Sequence, residues 1–226
     1  MKWLFKWALR LFLLLVVLAV VAVLLIDPIC RLVIQNRIRE QTGMDAHIGE
    51  FSLGLLSPTV SIRDLKIYNS KDFGGTLFLD IPEIHAEYDR AALAESDLRV
   101  TLLRFNLGEL DIVKNQAGQT NIFSLAAVKL PKKVSGKPSK PVSFTKETGL
   151  EFKGIDVLNV SVGKLQFIDL NDQRNNRTQV VGISNLVIKN VKSPADLTGL
   201  GLLVGLRSGD FFNPLVDAKN PASLFK

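Results

Sequence analysis

Two hydrophobic periods divide this chain. From Leu11 to Ile26, sixteen residues pass without a charged or polar side chain (LFLLLVVLAVVAVLLI). A membrane helix needs about 20 mostly apolar residues. Trp7 to Ile26 supplies them if Arg10 lays its aliphatic stem along the helix and keeps its charge at the interface. Trp3 and Trp7 stand where an aromatic belt would be, and Lys2, Lys6 and Arg10 gather on the N-terminal side, which the positive-inside rule assigns to the cytoplasm. Residues 1–30, marked by Trp3, Trp7, Leu11 and Ile26, therefore read as a single-pass anchor with the bulk of the chain across the membrane. A cleaved signal peptide is the competing reading, but no A-x-A-type site follows the run. Asp27, Pro28 and Ile29 are also wrong for the small residues that precede a lipoprotein cysteine at Cys30. Residues 31–43 keep helical spacing and read as a stalk that ends at the Thr42-Gly43 stop signal.

From Met44 the period becomes two, the mark of half-buried strands. Ala46, Ile48, Phe51, Leu53 and Leu55 alternate with polar residues. Pro58 opens a second strand carrying Val60 and Ile62, and across Arg63-Asp64 the phase slips to Leu65 and Ile67, a pattern that predicts a β-bulge. Asn69 to Gly75 is a loop. Leu77, Leu79 and Ile81, then Ile84, Ala86 and Tyr88 after a slip at Pro82, form a third strand. Asp89 caps a short helix to Glu95. Leu98, Val100 and Leu102 predict a fourth strand, and Leu107 to Val113 a fifth, with Asn121 capping one more helical turn. These make up a first β part, 44–128. Residues 129–149 form a linker: Lys129 to Lys146 holds six lysines, three prolines, no acid and no apolar period. It reads as a solvated linker or hairpin tip, with anionic lipid headgroups as its other partner. Alternation resumes over 150–192, through Val157, Val160, Val162, Leu165 and Phe167, a polar turn at Asp169 to Asn176, and a last strand from Thr178 to Val191. In 193–226, Ser193 and Pro194 open a nearly uncharged helix, and an apolar tail follows.

Composition narrows the function classes. Hydrophobic residues are 47% and mean hydropathy is +0.21, too apolar for a disordered chain. Of the net charge of +6, three positives precede Asp27; beyond it the balance is 25 basic against 22 acidic. No interleaved basic and aromatic pattern suggests nucleic acid. One cysteine excludes an intrachain disulfide. His47 and His85 are isolated, Glu83, Glu87 and Asp89 form an acidic edge without a catalytic arrangement, and neither G-x-S-x-G nor a Walker loop occurs. Asp169, Asn171 and Asp172 resemble the start of a calcium loop but lack its Gly and Glu. Gly201, Gly205 and Gly209 share a helix face, on a segment too short to span a bilayer. The chain reads as a non-enzyme without metal or cofactor.

The order of elements resembles the N-terminal module of the AsmA-like proteins of Gram-negative envelopes. The resemblance rests on the anchor, Thr42-Gly43, SPTVSIRDLKIYN (Ser57–Asn69), LFLDIPEIHAEYDRAAL (Leu77–Leu93), and DLRVTLLRFNLGELDIVKNQAGQTNI (Asp97–Ile122). In the last of these, Gly118 and Asn121 match a G-x-x-N pattern. GIDVLNVSVGKLQFIDL (Gly154–Leu170) follows, ending in Asp169. The family belongs to the bridge-like lipid-transfer group. The resemblance implies an inner-membrane anchor, a periplasmic groove and phospholipid as partner; members are generally much longer, so it implies about one module here.

The residues themselves predict a mainly β fold: a twisted, bulged antiparallel sheet forming an open groove, with flanking helices. Eight or nine strands at about 4.8 Å would give a groove of roughly 40 Å. Val60, Ile62, Leu79, Val100, Leu102, Val160 and Phe167 are expected on its apolar face, which suits acyl chains. The alternative is a membrane-tethered scaffold or outer-membrane assembly factor whose sheet edge, the Thr178–Val191 strand, pairs with a partner. On either reading a homo-oligomer or a longer bridge protein is the expected associate.

Overall fold

The computed structural model describes residues 27–54, 57–122 and 148–212. A helix over 27–42 (α1) leads into strands β1 (Asp45–Leu53), β2 (Thr59–Tyr68) and β3 (Leu77–Tyr88), a short helix α2 (Arg90–Ala94), then β4 (Asp97–Lys114), β5 (Glu151–Asp169) and β6 (Arg177–Val191), and a final helix α3 (Thr198–Ser208). The strands form one sheet in sequence order. The fold is mainly β, but it departs from the antiparallel expectation at one place: β4 and β5 run parallel, Asp97 opposite Glu151 and Lys114 opposite Asp169. A hairpin would have set Lys114 beside Glu151. The connection after Lys114 instead returns to the start of β4, which its length allows. Strand number is also corrected. The expected fourth and fifth strands are one 18-residue β4, because the phase slip between them is not a chain break.

Phase slips occur in every strand, and from β1 to β5 they line up. The apolar positions run Ile48 then Phe51 in β1, Ile62 then Leu65 in β2, Ile81 then Ile84 in β3, Leu107 then Leu110 in β4, Val162 then Leu165 in β5, and Ile183 then Leu186 in β6. Each of the aligned slips holds a residue without a Cβ, in left-handed conformation or without a backbone N–H: Gly49, Asp64 (φ 51°), Pro82, Gly108 and Gly163. These form a crease across the sheet. A Cβ on Gly49 would lie 2.9 Å from Asp64 Cβ, and one on Gly163 would lie 2.4 Å from the Gly108 carbonyl oxygen. The crease corrects the bulge expected at Arg63-Asp64. Register is unbroken there, with Ile48 opposite Leu65 and Glu50 opposite Arg63. A bulge adds a residue to one strand only; when neighbouring strands slip together, none has a residue to spare. β6 differs: its slip at Asn185 (φ 51°) lies opposite Val160–Val162, and there the register against β5 shifts.

α1 does not stand off as a stalk. It folds back antiparallel along β1: Asp27 Oδ1 accepts the Leu53 N–H (3.0 Å), Arg31 donates to the Gly49 carbonyl (2.9 Å), and Arg39 donates to Asp45 (2.6 Å). Gly43 (φ 68°) closes the helix, its N–H on the Arg39 carbonyl, the left-handed stop that only glycine adopts cheaply. The β1 edge, otherwise a row of open peptide groups, is thereby covered. Asp89 caps α2 through Ala91 and Ala92. Asp196 accepts from the Lys192 and Ser193 N–H groups ahead of α3. Among the described residues no helix is long and apolar enough to cross a membrane. The anchor residues Trp3, Trp7, Leu11 and Ile26, the Lys129–Lys146 segment and the tail beyond 212 lie outside the described residues.

Candidate functional site

Cross-strand pairing puts one apolar face together in rows, since paired residues project to the same side. Val60, Ala86, Leu103, Leu158 and Ile188 make one row. Ile62, Ile84, Phe105, Val160 and Leu186 make the next. Beyond the crease, Ile67, Leu79, Leu110 and Leu165 make a third. The opposite face is polar. Arg63 pairs with Glu50 (3.2 Å), Arg104 with Glu83 (3.3 Å) and Lys164 with Glu109 (3.0 Å), while Ser61 Oγ and His85 Nδ1 lie 2.6 Å apart.

Burial along these rows is uneven. On β5, Leu158, Val160, Val162, Leu165 and Phe167 are buried, and Leu197, Leu200, Leu203 and Val204 of the α3 region pack over that side. On the other side Ile34 of α1 packs on Ile48, Leu65 and Ile81. Between these margins, Val60, Ile62, Ile67, Leu79, Ile84, Leu103, Phe105, Leu107 and Leu110 are only half-buried. Among the described residues, the helices on this face lie at its two sides, and the middle strands form an apolar floor between them.

Of the residues expected to line the groove, Val60, Ile62, Leu79, Val160 and Phe167 belong to this face. Leu102 does not. It pairs with Glu87 and Val157, one step out of phase with Leu103 and Phe105, and so projects to the polar face. Val100 is half-buried opposite Tyr88 and Ile155, in neither buried cluster. Ile84 stands in the sequence only as a strand position, while Leu103 and Phe105 are hidden because Leu98, Val100 and Leu102 set the opposite parity at the start of β4. The phase of Leu107, read backwards, carries the signal that finds them.

Gly118, Asn121 and Asp169 sit together at the sheet's base, away from the floor's middle rows. Asn121 is fully buried and uses its whole side chain. Its Oδ1 accepts from the Val113 and Ile122 N–H groups (3.1 and 2.9 Å), and its Nδ2 donates to Asn69 Oδ1 and the Asp111 carbonyl (both 2.9 Å). Gly118 (φ 76°) makes the Asn115–Gln119 turn that brings Asn121 back. Asp169 accepts from the Asn171 N–H, Asn175 and Lys114. Burial alone would push its carboxyl up, but these donors outweigh it and hold it below the usual range. The three residues thus build the closed end of the sheet. Beside them a cavity of about 730 Å³ is lined by Thr42, Met44, Phe73, Asn115, Gln119 and Leu170 among others.

Among the described residues, Asn159 and Asp111 each bury a side-chain oxygen without a hydrogen-bond partner. Asp111, 4% exposed, has an Oδ1 without a partner. Burial first, and then the neighbouring Glu109, push its carboxyl up to about 7. Glu109 is itself held by Lys164 and Gln166. His47 is exposed, and among the described residues no cluster of His, Cys, Asp and Glu could hold a metal ion. The β6 strand, expected as a joining edge, is continuous but carries left-handed Gly182, Asn185 and Asn190. Arg207 also donates to its Val181 and Gly182 carbonyls (3.1 and 2.7 Å), and such features blunt an edge. No family model, no curated protein and no solved structure matches the chain.

Proposed function

We propose that this is an AsmA-like protein, anchored in the inner membrane by its first residues with the sheet in the periplasm, that holds phospholipid acyl chains against the floor of β2, β3 and β4. The observation that supports this reading most is the half-buried apolar middle of one sheet face, flanked by α1 and α3, opposite a face lined with ion pairs. An acyl chain needs apolar area and no directed chemistry, and the floor offers that. Six strands at about 4.8 Å span roughly 24 Å, so the protein works with a longer bridge protein or a soluble carrier and does not cross the envelope alone. Stacking of copies through β1 is disfavoured, because α1 occupies that edge.

Native mass spectrometry of the protein released from detergent tests this. Phospholipid retained on the folded chain is expected, and its loss in Phe105→Asp with β structure kept. A wild-type chain free of lipid that captures an envelope protein would favour the scaffold reading instead.

A further inference from the structure

We propose that the outer face of the first two turns of α1, carrying Ile29, Leu32 and Val33, lies in the interfacial layer of the lipid bilayer, so that the sheet stands directly on the membrane. This rests on the anchor reading of residues 11–26 and goes beyond it, since an anchor could equally be joined to the sheet by a water-exposed stalk. Ile29, Leu32 and Val33 are 54%, 55% and 61% exposed, and their spacing places them on one side of the helix. Ile34 points the other way, into the cluster of Ile48, Leu65 and Ile81. The outer series then turns polar: Asn36, Arg37 and Glu40 follow, all exposed, with Arg37 and Glu40 3.9 Å apart.

That gradient identifies the occupant. A partner helix or a second copy would ask for an apolar stripe along the whole of α1. A bilayer surface asks for one that fades with distance from the anchor. From Asp27 to Val33 the helix rises about 9 Å, close to the interfacial layer of about 5–7 Å on each side of the hydrocarbon. The two charges within this stretch are turned inward. Asp27 takes the Leu53 N–H and Arg31 the Gly49 carbonyl, so neither opposes the approach of lipid. These bonds also fix what is delivered to the surface. Leu53 pairs with Val60, Val60 with Ala86, and Ala86 with Leu103. Of the floor's three apolar rows, this one is nearest the membrane.

The test uses the full chain with Cys30→Ser, in vesicles of phosphatidylethanolamine and phosphatidylglycerol, and single cysteines carrying an environment-sensitive fluorophore at Leu18, Ile29, Val33 or Arg37. Expected are blue-shifted emission at Ile29 and Val33, loss of that emission when the vesicle lipids carry brominated acyl chains, and neither effect at Arg37. Quenching at Leu18 with aqueous emission at Ile29 and Val33 would overturn this proposal and leave the anchor standing. Aqueous emission at Leu18 as well would overturn both. A blue shift at Ile29 that brominated lipid does not quench would place protein there, and would also overturn it.

Discussion

Gly163→Ala probes the crease at its tightest point. The added methyl would start 2.4 Å from the Gly108 carbonyl oxygen, 3.2 Å from its carbonyl carbon and 3.5 Å from its Cα. All three are backbone atoms in the adjacent strand, so no side chain can rotate away. β4 and β5 must part locally, in a ladder that otherwise runs in register from Val100–Ile155 to Lys114–Asp169. Overpacking of this kind costs typically 1–3 kcal/mol, and with only main chain to yield the upper end applies, about 3 kcal/mol. For a chain of this length, each kcal/mol lowers the melting temperature by about 2–4 °C. A fall of roughly 6–12 °C by circular dichroism is expected. Gly201→Ala in α3 is the control, because nothing lies within 4 Å of its added Cβ and Ala favours a helix over Gly by about 1 kcal/mol. It should hold or raise the melting temperature. If Gly163→Ala melts with the wild type, the strands do not meet at Gly108 and Gly163, and the aligned crease is wrong.

Three further outcomes follow from the same geometry. Asn121→Ala strips partners from two N–H groups, the Asn69 amide and the Asp111 carbonyl; at about 1–3 kcal/mol per buried group left unpaired, a loss of about 3 kcal/mol or more should appear in urea unfolding, and a loss below about 1 would refute the hub. Because Asp111 titrates higher folded than unfolded, its contribution is full below its ordinary pKa of 3.8 and declines as pH rises to about 7; Asp111→Asn should flatten that decline, and an unchanged pH profile of stability would contradict the assignment. Phe105→Asp should empty the floor and lower the melting temperature while keeping β structure, since an unpaired charge is costly to bury, whereas Leu102→Asp, on the polar face beside Glu87, should keep lipid and melt near the wild type; equal damage from both would refute the face assignment.

Local signals were legible because they are local. Asp89 before its helix, Ser193-Pro194 before α3 and the Thr42-Gly43 stop each act within a few residues, and the structure realises each one. The slips at Arg63-Asp64 and Pro82 were visible too, but their meaning was not. A slip in one strand looks like a bulge; only the register shows Gly49, Asp64 and Pro82 as neighbours. The parallel pairing of β4 and β5 was hidden for a related reason, since alternation carries no direction. α1 read as a stalk because its attachments are long-range: Asp27 and Arg31 bond to backbone groups 26 and 18 residues away, which no side-chain pattern announces. At the site, Leu102 was placed on the wrong face because parity was carried from Val100, whereas Leu103, Phe105 and Leu107 hold the floor.

The central claim is that acyl chains lie on the floor and not on the opposite face. A photo-activatable phenylalanine analogue at Phe105, compared with one at Leu102, tests it in growing Gram-negative cells. After irradiation, the Phe105 derivative should carry covalently attached phospholipid, seen as a mass increase on the intact chain, and the Leu102 derivative should carry none. Phospholipid on neither position, or on both alike, would contradict a lipid-bearing groove built on this face.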